Sequence, residues 1–299
     1  MKTHRPSRTA EHNALFRAIE CARAPKVRVV HDPMAWHFLG GPFRFPALLC
    51  RNPVCRAVLC RYIDYRWPGS RTSLIARTRL IDDYLAAALA TAVPQVVLLG
   101  AGFDSRPYRI AGAEGAKFFE IDHPNTSASK KARVRRMLGT LPEHVRYVAI
   151  NFQQDALPQA LEAAGFDPLM RSFVLWEGVS NYLTAESVDA TLAFISGLAK
   201  GTQLVFTYVD ESVLRDPAGF AGGGEVQRTI TKLEEPWTFG IRPDDATDFF
   251  RKRGLRLDSD LSAAEYRKRY YGAGVRIRGY EFYHAVTAHV AAKSQLALG

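Results

Sequence analysis

Short apolar segments alternate with polar, helix-forming segments between residues 95 and 206, and this alternation constrains the fold more than any other feature. Continuous apolar runs of strand length are typical of a parallel sheet that is buried on both faces and joined by helices. The predicted strands are Gln95–Leu99, Lys117–Ile121, Val145–Ile150, Ser172–Trp176 and Gln203–Tyr208. The predicted helices between them are Asn125–Leu138, Pro158–Ala164 and Ala185–Ala199. We therefore predict an α/β fold with a doubly wound, mostly parallel sheet.

The segments that flank this core suggest how the sheet is completed. Two late segments, Leu255–Ser259 and Tyr280–Val290, are predicted to be strands that pair antiparallel at the edge of the sheet. The stretch Asp210–Gly240 has several prolines and glycines and no clean periodicity. We expect it to be an insertion over the carboxyl edge of the sheet, where ligands bind in open α/β folds.

The chain before residue 93 is predicted to be a helical N-terminal extension. Its predicted helices are Ala10–Cys21, Val54–Asp64 and Ser73–Ala92. We expect residues 93–299 to form the ligand-binding domain, with the insertion at about residues 209–240.

Charge and apolar content limit the classes of partner. The net charge is +10, but the arginines are scattered along the chain, which disfavours nucleic-acid binding. The strongest apolar run, Leu85–Leu99, is interrupted and too short to span a bilayer, and the N-terminus is polar. We expect a cytoplasmic protein with no membrane partner. The four cysteines fit no common zinc pattern, so no metal is expected.

A glycine-rich turn follows the first predicted strand in the sequence LLGAGFDS. Gly100 and Gly102 allow a tight turn and a close approach of ligand to backbone. A dinucleotide-binding fingerprint has a third glycine where this chain has Ser105. The turn therefore favours a ligand without a pyrophosphate, such as S-adenosylmethionine, over NAD or FAD.

Acidic residues follow two other strands. Asp122 ends the second strand, about twenty residues beyond the turn, where a carboxylate accepts from the ribose hydroxyls of an adenosine-type ligand. Glu120 shares its strand face but lies deeper, so Asp122 is preferred. Glu177 follows four apolar residues at the end of the fourth strand. Its carboxylate is suited to accept from an amino group and to balance a sulfonium charge.

Several motifs in a fixed order resemble the bacterial branch of the leucine carboxyl methyltransferase family, which includes methyltransferases of polyketide assembly. They are RTRLIDD from Arg77, VVLLGAGFDSRPYR, FFEIDHP, YVAINF, ALEAAGFDP and FVLWEGVSNYLT. The similarity extends over about residues 70 to 285 and also includes EEPWTFGI and AAEYRKRYYG.

The resemblance implies a class I methyltransferase fold with S-adenosylmethionine as the methyl donor. Arg77 would contact the donor carboxylate and Glu177 its methionine part. Asp122 would hold the ribose. Position 151 is usually aspartate in this family, so Asn151 suggests weaker adenine binding. The other implied binding residues are Gly100, Ala101 and Gly102 beneath the donor and Asn151 with Phe152 beside the adenine.

The acceptor is less constrained than the donor. A carboxylate is already a nucleophile at neutral pH, whereas a hydroxyl acceptor needs a general base. The sequence shows no clear base; the candidates are Tyr182 and His123. Asn181 stands where the family often has tyrosine. We predict an O-methyltransferase that esterifies a small acidic molecule, held by arginines such as Arg66, Arg71, Arg106 and Arg109.

Three alternatives remain at this point. The acceptor is a hydroxyl of a polyketide-like molecule, the protein is a non-catalytic homologue that kept the nucleotide pocket, or it is a nicotinamide-dependent oxidoreductase. Ser105 disfavours the last, and Asn151 lends some weight to the second. The sequence predicts no particular oligomeric state.

Overall fold

A mixed sheet forms the centre of the protein in a computed structural model, which describes residues 8–151, 155–232, 236–274 and 276–291. Its strands are β1 (Gln95–Leu99), β2 (Lys117–Asp122), β3 (Val145–Ala149), β4 (Ser172–Trp176), β5 (Gln203–Val209), β6 (Leu255–Ser262) and β7 (Tyr283–Val290). They are arranged in the order β3-β2-β1-β4-β5-β7-β6. The five strands predicted between residues 95 and 208 are all present.

The strand order creates a switch point at the centre of the sheet. From β1 the chain winds outward to β2 and β3, then returns to place β4 on the other side of β1. These pairs are all parallel, as is β4 with β5. The loops after β1 and β4 therefore leave the sheet in opposite directions and open a crevice where ligands bind in open α/β folds.

β7 is the strand that runs against the other six. It pairs antiparallel with β6, which confirms the predicted pairing of the late strands. It also pairs antiparallel with β5 over its whole length, from Gln203–His289 to Val209–Tyr283. β7 therefore lies inside the sheet, and β6 forms its edge.

Helices cover the sheet and extend it at the N-terminal side. Those before β1 are α1 (Arg8–Cys21), α2 (Gly41–Leu49), α3 (Pro53–Arg66) and α4 (Ser70–Ala90). Those between β1 and β5 are α5 (Arg106–Arg109), α6 (Pro124–Leu138), α7 (Leu157–Ala163) and α8 (Ala185–Ser196). The later ones are α9 (Ser212–Arg215), α10 (Gly223–Lys232), α11 (Ala246–Arg251) and α12 (Ala263–Tyr271). The sequence did not predict α2, because Pro46 lies inside it and interrupts the helical signal.

Alternate residues of the strands build a core on each face of the sheet. Val97 and Leu99 of β1 pack on one face with residues of α7, α8 and α11. Val96 and Leu98 pack on the other face against Ile81, Leu85 and Ala88 of α4. The C-terminal half of α4, which the sequence placed in the N-terminal extension, is thus one of the layers that cover the sheet. None of the described helices is long and apolar enough to cross a membrane.

Candidate active site

A cavity of about 590 Å³ lies at the carboxyl ends of β1, β2, β3 and β4. Residues directly after each of these strands line it, as the predicted crevice requires. Asn13 and Arg17 of α1 form part of another wall, and Pro236 and Thr238 of the segment after β5 contribute as well. These two residues belong to the segment that was expected to lie over the carboxyl edge of the sheet.

The glycine turn after β1 forms the floor of the cavity. Gly100 and Gly102 have φ values of +70° and +44°, in the region that glycine alone adopts without strain. A Cβ on Gly100 would lie 2.2 Å from Cγ2 of Val179, so a larger residue cannot fit there. The N–H groups of Gly100 and Ala101 both donate to the Ile121 carbonyl, at 2.8 and 2.9 Å, which fixes the turn to β2.

Asp122 lies at the cavity wall, as predicted, and also supports the turn. Its Oδ2 accepts the Gly102 N–H, and its Oδ1 accepts the His123 N–H at 2.7 Å. Burial raises the pKa of this carboxyl, although the two N–H groups oppose the rise. A carboxylate has about four acceptor sites. Asp122 therefore retains capacity for the hydroxyl groups of a ribose.

Asn151 lines the cavity beyond β3, and its backbone is held by one side chain. Its N–H donates to Oδ2 of Asp155 at 2.7 Å, and its carbonyl accepts the Asp155 N–H at 2.9 Å. Asn151 therefore lies in the cavity wall, and its contact with the adenine stays a prediction. Phe152, the other residue predicted there, lies outside the described residues.

Glu177 lines the cavity with its carboxylate between two guanidinium groups. Its Oε1 accepts from Nε of Arg77 at 2.8 Å, and its Oε2 accepts from Arg106 at 3.1 Å. Burial alone would raise the pKa of Glu177, but the two arginines outweigh it and lower the pKa. Glu177 is thus held as an anion.

Arg77 lies behind Glu177, not among the side chains that line the cavity. Its guanidinium carbon lies 4.5 Å from the centre of the Tyr283 ring. Its Nε bonds Glu177, whereas its terminal nitrogens form no hydrogen bond with any residue in the described ranges. The side chain is only 5% exposed, and its contact with the donor carboxylate stays a prediction.

A larger set of buried ion pairs continues from Arg106, and we call it the arginine network. Arg106 donates to Asp82 at 2.7 Å and to Asp104 at 2.5 Å in addition to Glu177. Asp82 also accepts two bonds from Arg109. The network contains four cations and four anions: Arg17, Arg77, Arg106 and Arg109 with Asp32, Asp82, Asp104 and Glu177.

The cations around the arginine network determine the pKa of Asp104. Burial acts to raise the pKa of Asp104, but Arg106 and Lys130 overcome that effect and lower the pKa to about 2. The network also holds the glycine turn, since Arg17 donates to the Phe103 carbonyl at 2.6 Å. Ser105 joins it as well: its hydroxyl donates to Asp32 at 2.6 Å and accepts from Arg109 at 2.9 Å. Ser105, which stands at the position of the third glycine, therefore connects Asp32 with Arg109.

The prediction that four arginines hold an acidic substrate is wrong in its details. Arg71 forms a two-point ion pair with Asp64, and Arg109 forms an ion pair with Asp82 in the arginine network. Arg66 lies over the Trp67 ring, 5.2 Å from its centre. Arg106 does line the cavity, but three carboxylates already neutralise it. Arginines that lie near the motifs in the sequence thus pair with acidic residues of α3 and α4 and are not free for a substrate.

The two candidate bases both line the cavity, in different settings. His123 caps α6, because its Nδ1 accepts the Asn125 N–H at 3.3 Å. It directly follows Asp122 in the chain. Tyr182 ends a short 3₁₀ turn after β4 and lines the cavity near Val179. Asn181 is buried, and its carbonyl accepts the Thr238 N–H at 2.7 Å, so it positions the wall rather than contacting a substrate.

A second buried cluster supports the glycine turn from below, and we call it the Glu120 cluster. Lys130 donates to Oε1 of Glu120 at 2.7 Å and to the Ala101 carbonyl at 3.3 Å. Tyr108 also donates to Oε1 of Glu120, at 3.0 Å, and its hydroxyl lies 3.0 Å from that of Tyr147. Glu120 thus supports the loop, which is consistent with the preference for Asp122 as the ligand-binding carboxylate.

Several residues of the site carried no usable signal in the sequence. Arg17 and Asp32 belong to no motif and meet the turn only through long-range contacts. Asp82 lies in the RTRLIDD motif five residues after Arg77, but a helical position alone does not reveal its partners on α5. Across the described residues, no group of three or more histidine, cysteine, aspartate or glutamate side chains is arranged to hold a metal ion.

Comparison with known sequences identifies the family of this chain. The model of the leucine carboxyl methyltransferase family matches residues 10–196. A Frankia alni protein that carries the name of an S-adenosyl-L-methionine-dependent methyltransferase is 32% identical, over 72% of this chain and 73% of its own. A Streptomyces coelicolor protein with the same description is 34% identical, over 64% of this chain and 69% of its own.

Two solved structures share the fold at low sequence identity. One is a Thermobifida fusca protein described as a methyltransferase, with a TM-score of 0.57 and 16% identity over 80% of this chain and 89% of its own. The other is a DUF574 family protein of Streptomyces avermitilis, with a TM-score of 0.57 and 14% identity over 91% and 99% of the two chains. The predicted fold class is thereby confirmed. The family model matches well over half of the sequence, and the chain belongs to the leucine carboxyl methyltransferase family.

Proposed function

We propose that this chain transfers the methyl group of S-adenosylmethionine to a carboxylate of a small molecule and releases the methyl ester. The family, the names of the relatives and the fold support the donor. The observation that carries the choice of acceptor is the state of the two acidic side chains that line the cavity and contact Arg106. Asp104 and Glu177 are kept ionised by arginines, and this makes them weak bases.

The residues present fit the donor on the evidence of their own geometry. Gly100, Ala101 and Gly102 line the cavity, so the backbone of the turn faces the space that the donor would occupy. Asp122 retains acceptor sites for a ribose, and Arg77 retains N–H groups for a carboxylate. Glu177 completes this set, because its anionic oxygens can accept from an ammonium group. Bound there, S-adenosylmethionine supplies an electrophilic methyl group on a sulfonium with a good leaving group.

The protein's main contribution to such a transfer is orientation and exclusion of water. An acceptor carboxylate forms the new oxygen–carbon bond without losing a proton, so no general base takes part. The Nδ1 atom of His123 is already engaged as a helix cap. α1 and the segment that includes Thr238 supply further walls of the cavity.

The acceptor class is tested by the chemical stability of the product. The purified protein is incubated with methyl-labelled S-adenosylmethionine and a panel of small carboxylic acids, and the products are treated with mild alkali. Methyl esters hydrolyse and release labelled methanol, whereas methyl ethers keep the label. We expect volatile label, and we expect the same panel of acids converted to their methyl esters beforehand to accept none.

Two results would overturn the proposal in different ways. Label that survives alkali would identify a hydroxyl or nitrogen acceptor, and Tyr182→Phe and His123→Ala would then be the first variants to test for loss of rate. Binding of S-adenosylhomocysteine without transfer to any acid, alcohol or amine would identify a non-catalytic homologue.

A further inference from the structure

Two consecutive helices expose an unusual amount of apolar surface. Seven of the eleven large apolar side chains exposed in the described residues lie on α2 and α3. Tyr65 is 84% exposed and Val54 is 70% exposed. The seven side chains define what we call the α2–α3 surface: Phe45, Leu48, Leu49, Val54, Val58, Tyr62 and Tyr65. Isolated exposed apolar residues are ordinary, but a concentration of them marks a contact surface.

The apolar residues of α3 form a stripe with arginines on both sides. At about 100° per residue, Val54, Val58, Tyr62 and Tyr65 fall within an arc of roughly 80°. Arg61 precedes this arc and Arg66 follows it on the helix circumference. The opposite face of α3 carries Leu59 and Ile63, which pack into the protein. α3 is therefore apolar on two faces, of which only one has a partner within the described structure.

The charge of this region is positive and uncompensated. The segment from residue 41 to residue 66 contains five arginines and one acidic residue, Asp64, which is paired with Arg71. None of the five forms an ion pair with a carboxylate of the described chain. Arg56 donates to backbone carbonyls, and Arg51 lies over the ring of Trp36. The five arginines are Arg44, Arg51, Arg56, Arg61 and Arg66.

We propose that the α2–α3 surface docks this protein on an anionic lipid bilayer. A narrow apolar stripe with arginines on its flanks lets the apolar groups enter the boundary between headgroups and acyl chains while the long arginine side chains reach the phosphates. Tyrosine is enriched at that depth. A second copy of the chain is a poorer occupant, because a two-fold contact would bring the same arginines face to face.

This inference does not depend on the proposed reaction and revises the expectation of no membrane partner. That expectation rested on the lack of a spanning segment, which does not bear on a helix that lies in the plane of the interface. The docked helices adjoin the site, since α1 lines the cavity with Asn13 and Arg17 and packs against α2.

Vesicle flotation tests the proposal with the full chain. We expect binding to vesicles of phosphatidylcholine and phosphatidylglycerol in equal parts, and little binding to phosphatidylcholine alone. Val58→Asp should abolish flotation, because docking would bring a negative charge into the apolar stripe, next to the headgroup phosphates. Arg61→Gln with Arg66→Gln should weaken the partition constant about 25-fold, from about fivefold for each arginine.

Matched controls separate docking from misfolding and from general charge. Leu169→Asp changes an apolar residue that is 86% exposed elsewhere, and Arg256→Gln removes an exposed charge on β6; both should float like the wild type. Circular dichroism and the affinity for S-adenosylhomocysteine should be unchanged in Val58→Asp. Equal flotation of Val58→Asp and wild type would overturn the proposal. The proposal would also be overturned if the wild-type protein bound neither kind of vesicle. This holds whether the protein is monomeric or forms a dimer that Val58→Asp dissociates.

Discussion

The arginine network and the Glu120 cluster both support the glycine turn, yet the pKa values of their carboxylates shift in opposite directions. In the arginine network, four guanidinium groups face four carboxylates, and the pKa values of Asp104 and Glu177 are lowered. In the Glu120 cluster one ammonium group faces one carboxylate, and Oε2 of Glu120 has no hydrogen-bond partner in the described structure. There burial outweighs Lys130 and raises the pKa of Glu120 to about 7.

The difference shows what a buried carboxylate requires. Removal from water disfavours the charged form, and only several donors in good geometry offset that cost. Glu177 contacts two guanidinium groups, one on each carboxylate oxygen, and its pKa is lowered. Glu120 has contacts on a single oxygen. The number of compensating donors decides the outcome, and four variants test that conclusion.

The largest effect is expected for Arg106→Met. This change leaves Asp82, Asp104 and Glu177 short of a buried cation, and breaking buried pairs in this way typically costs about 3–5 kcal/mol of unfolding free energy. Urea unfolding followed by circular dichroism measures the loss. The control Arg215→Met removes an exposed pair with Glu211 and should cost about 0.5 kcal/mol or less. Similar losses for both variants would mean that the network contributes no more than a surface pair.

Glu120→Gln should change the pH dependence of stability. A carboxyl whose pKa rises from 4.5 to about 7 on folding binds protons more readily in the folded state, so stability falls as the pH rises through that window. The fall due to Glu120 is about 3 kcal/mol, and Glu120→Gln should remove it.

Unfolding free energies at about pH 5 and about pH 7.5 measure this slope. The exposed control Glu114→Gln should keep the slope of the wild type. If Glu120→Gln keeps it as well, Lys130 alone is sufficient to hold Glu120 ionised, and the contrast between the two clusters disappears.

Asp122→Asn tests a carboxylate that relies on backbone donors rather than on cations. Loss of charge-assisted bonds to a ribose should weaken S-adenosylhomocysteine binding roughly ten- to a hundredfold, with little change in stability. Titration calorimetry provides the affinity. Asp258→Asn, on an exposed acid paired with His289, should bind like the wild type. Unchanged affinity in Asp122→Asn would remove this residue from the ribose site.

The smallest effect is expected for Ser105→Ala. The hydroxyl bridges Asp32 and Arg109, so its loss should reduce the unfolding free energy by about 1–2 kcal/mol. Ser196→Ala serves as the comparison, because that hydroxyl only donates to a carbonyl in its own helix. Equal behaviour of the two variants would show that Arg109 and Asp32 adjust without the bridge.

Periodicity and the position of acidic residues at strand ends were sufficient to predict the sheet and one carboxylate of the cavity wall. The apolar runs located β1 to β5 within a residue or two, and the acid at the end of β2 lies in the cavity wall as Asp122. Both signals are local, because a strand end and its side chain are fixed by the strand itself. The resemblance supplied the order of the motifs, and the family match confirms it.

The arginines could not be resolved in the same way. Arg106 and Arg109 pair with Asp82, more than twenty residues earlier in the chain, and Arg17 reaches Phe103 across 86 residues. A guanidinium near a motif is equally compatible with a substrate and with a carboxylate from a distant helix. Only the packing of α1 and α4 against the glycine turn shows whether such an arginine faces a substrate or a carboxylate of the protein. The exposed stripe on α3 was also hidden, because its inner face gives the same apolar signal.

The inside position of β7 has a consequence for synthesis on the ribosome. β6 precedes β7 in the chain but joins the sheet only through it, and the side of β5 that β7 covers stays open until residues 283–290 have emerged. During that interval β5 presents a row of unpaired backbone groups on an apolar strand, the kind of edge on which other chains aggregate. Premature termination anywhere between residues 210 and 282 should therefore yield aggregated protein, because the nascent chain has a nearly complete nucleotide crevice but an unprotected sheet.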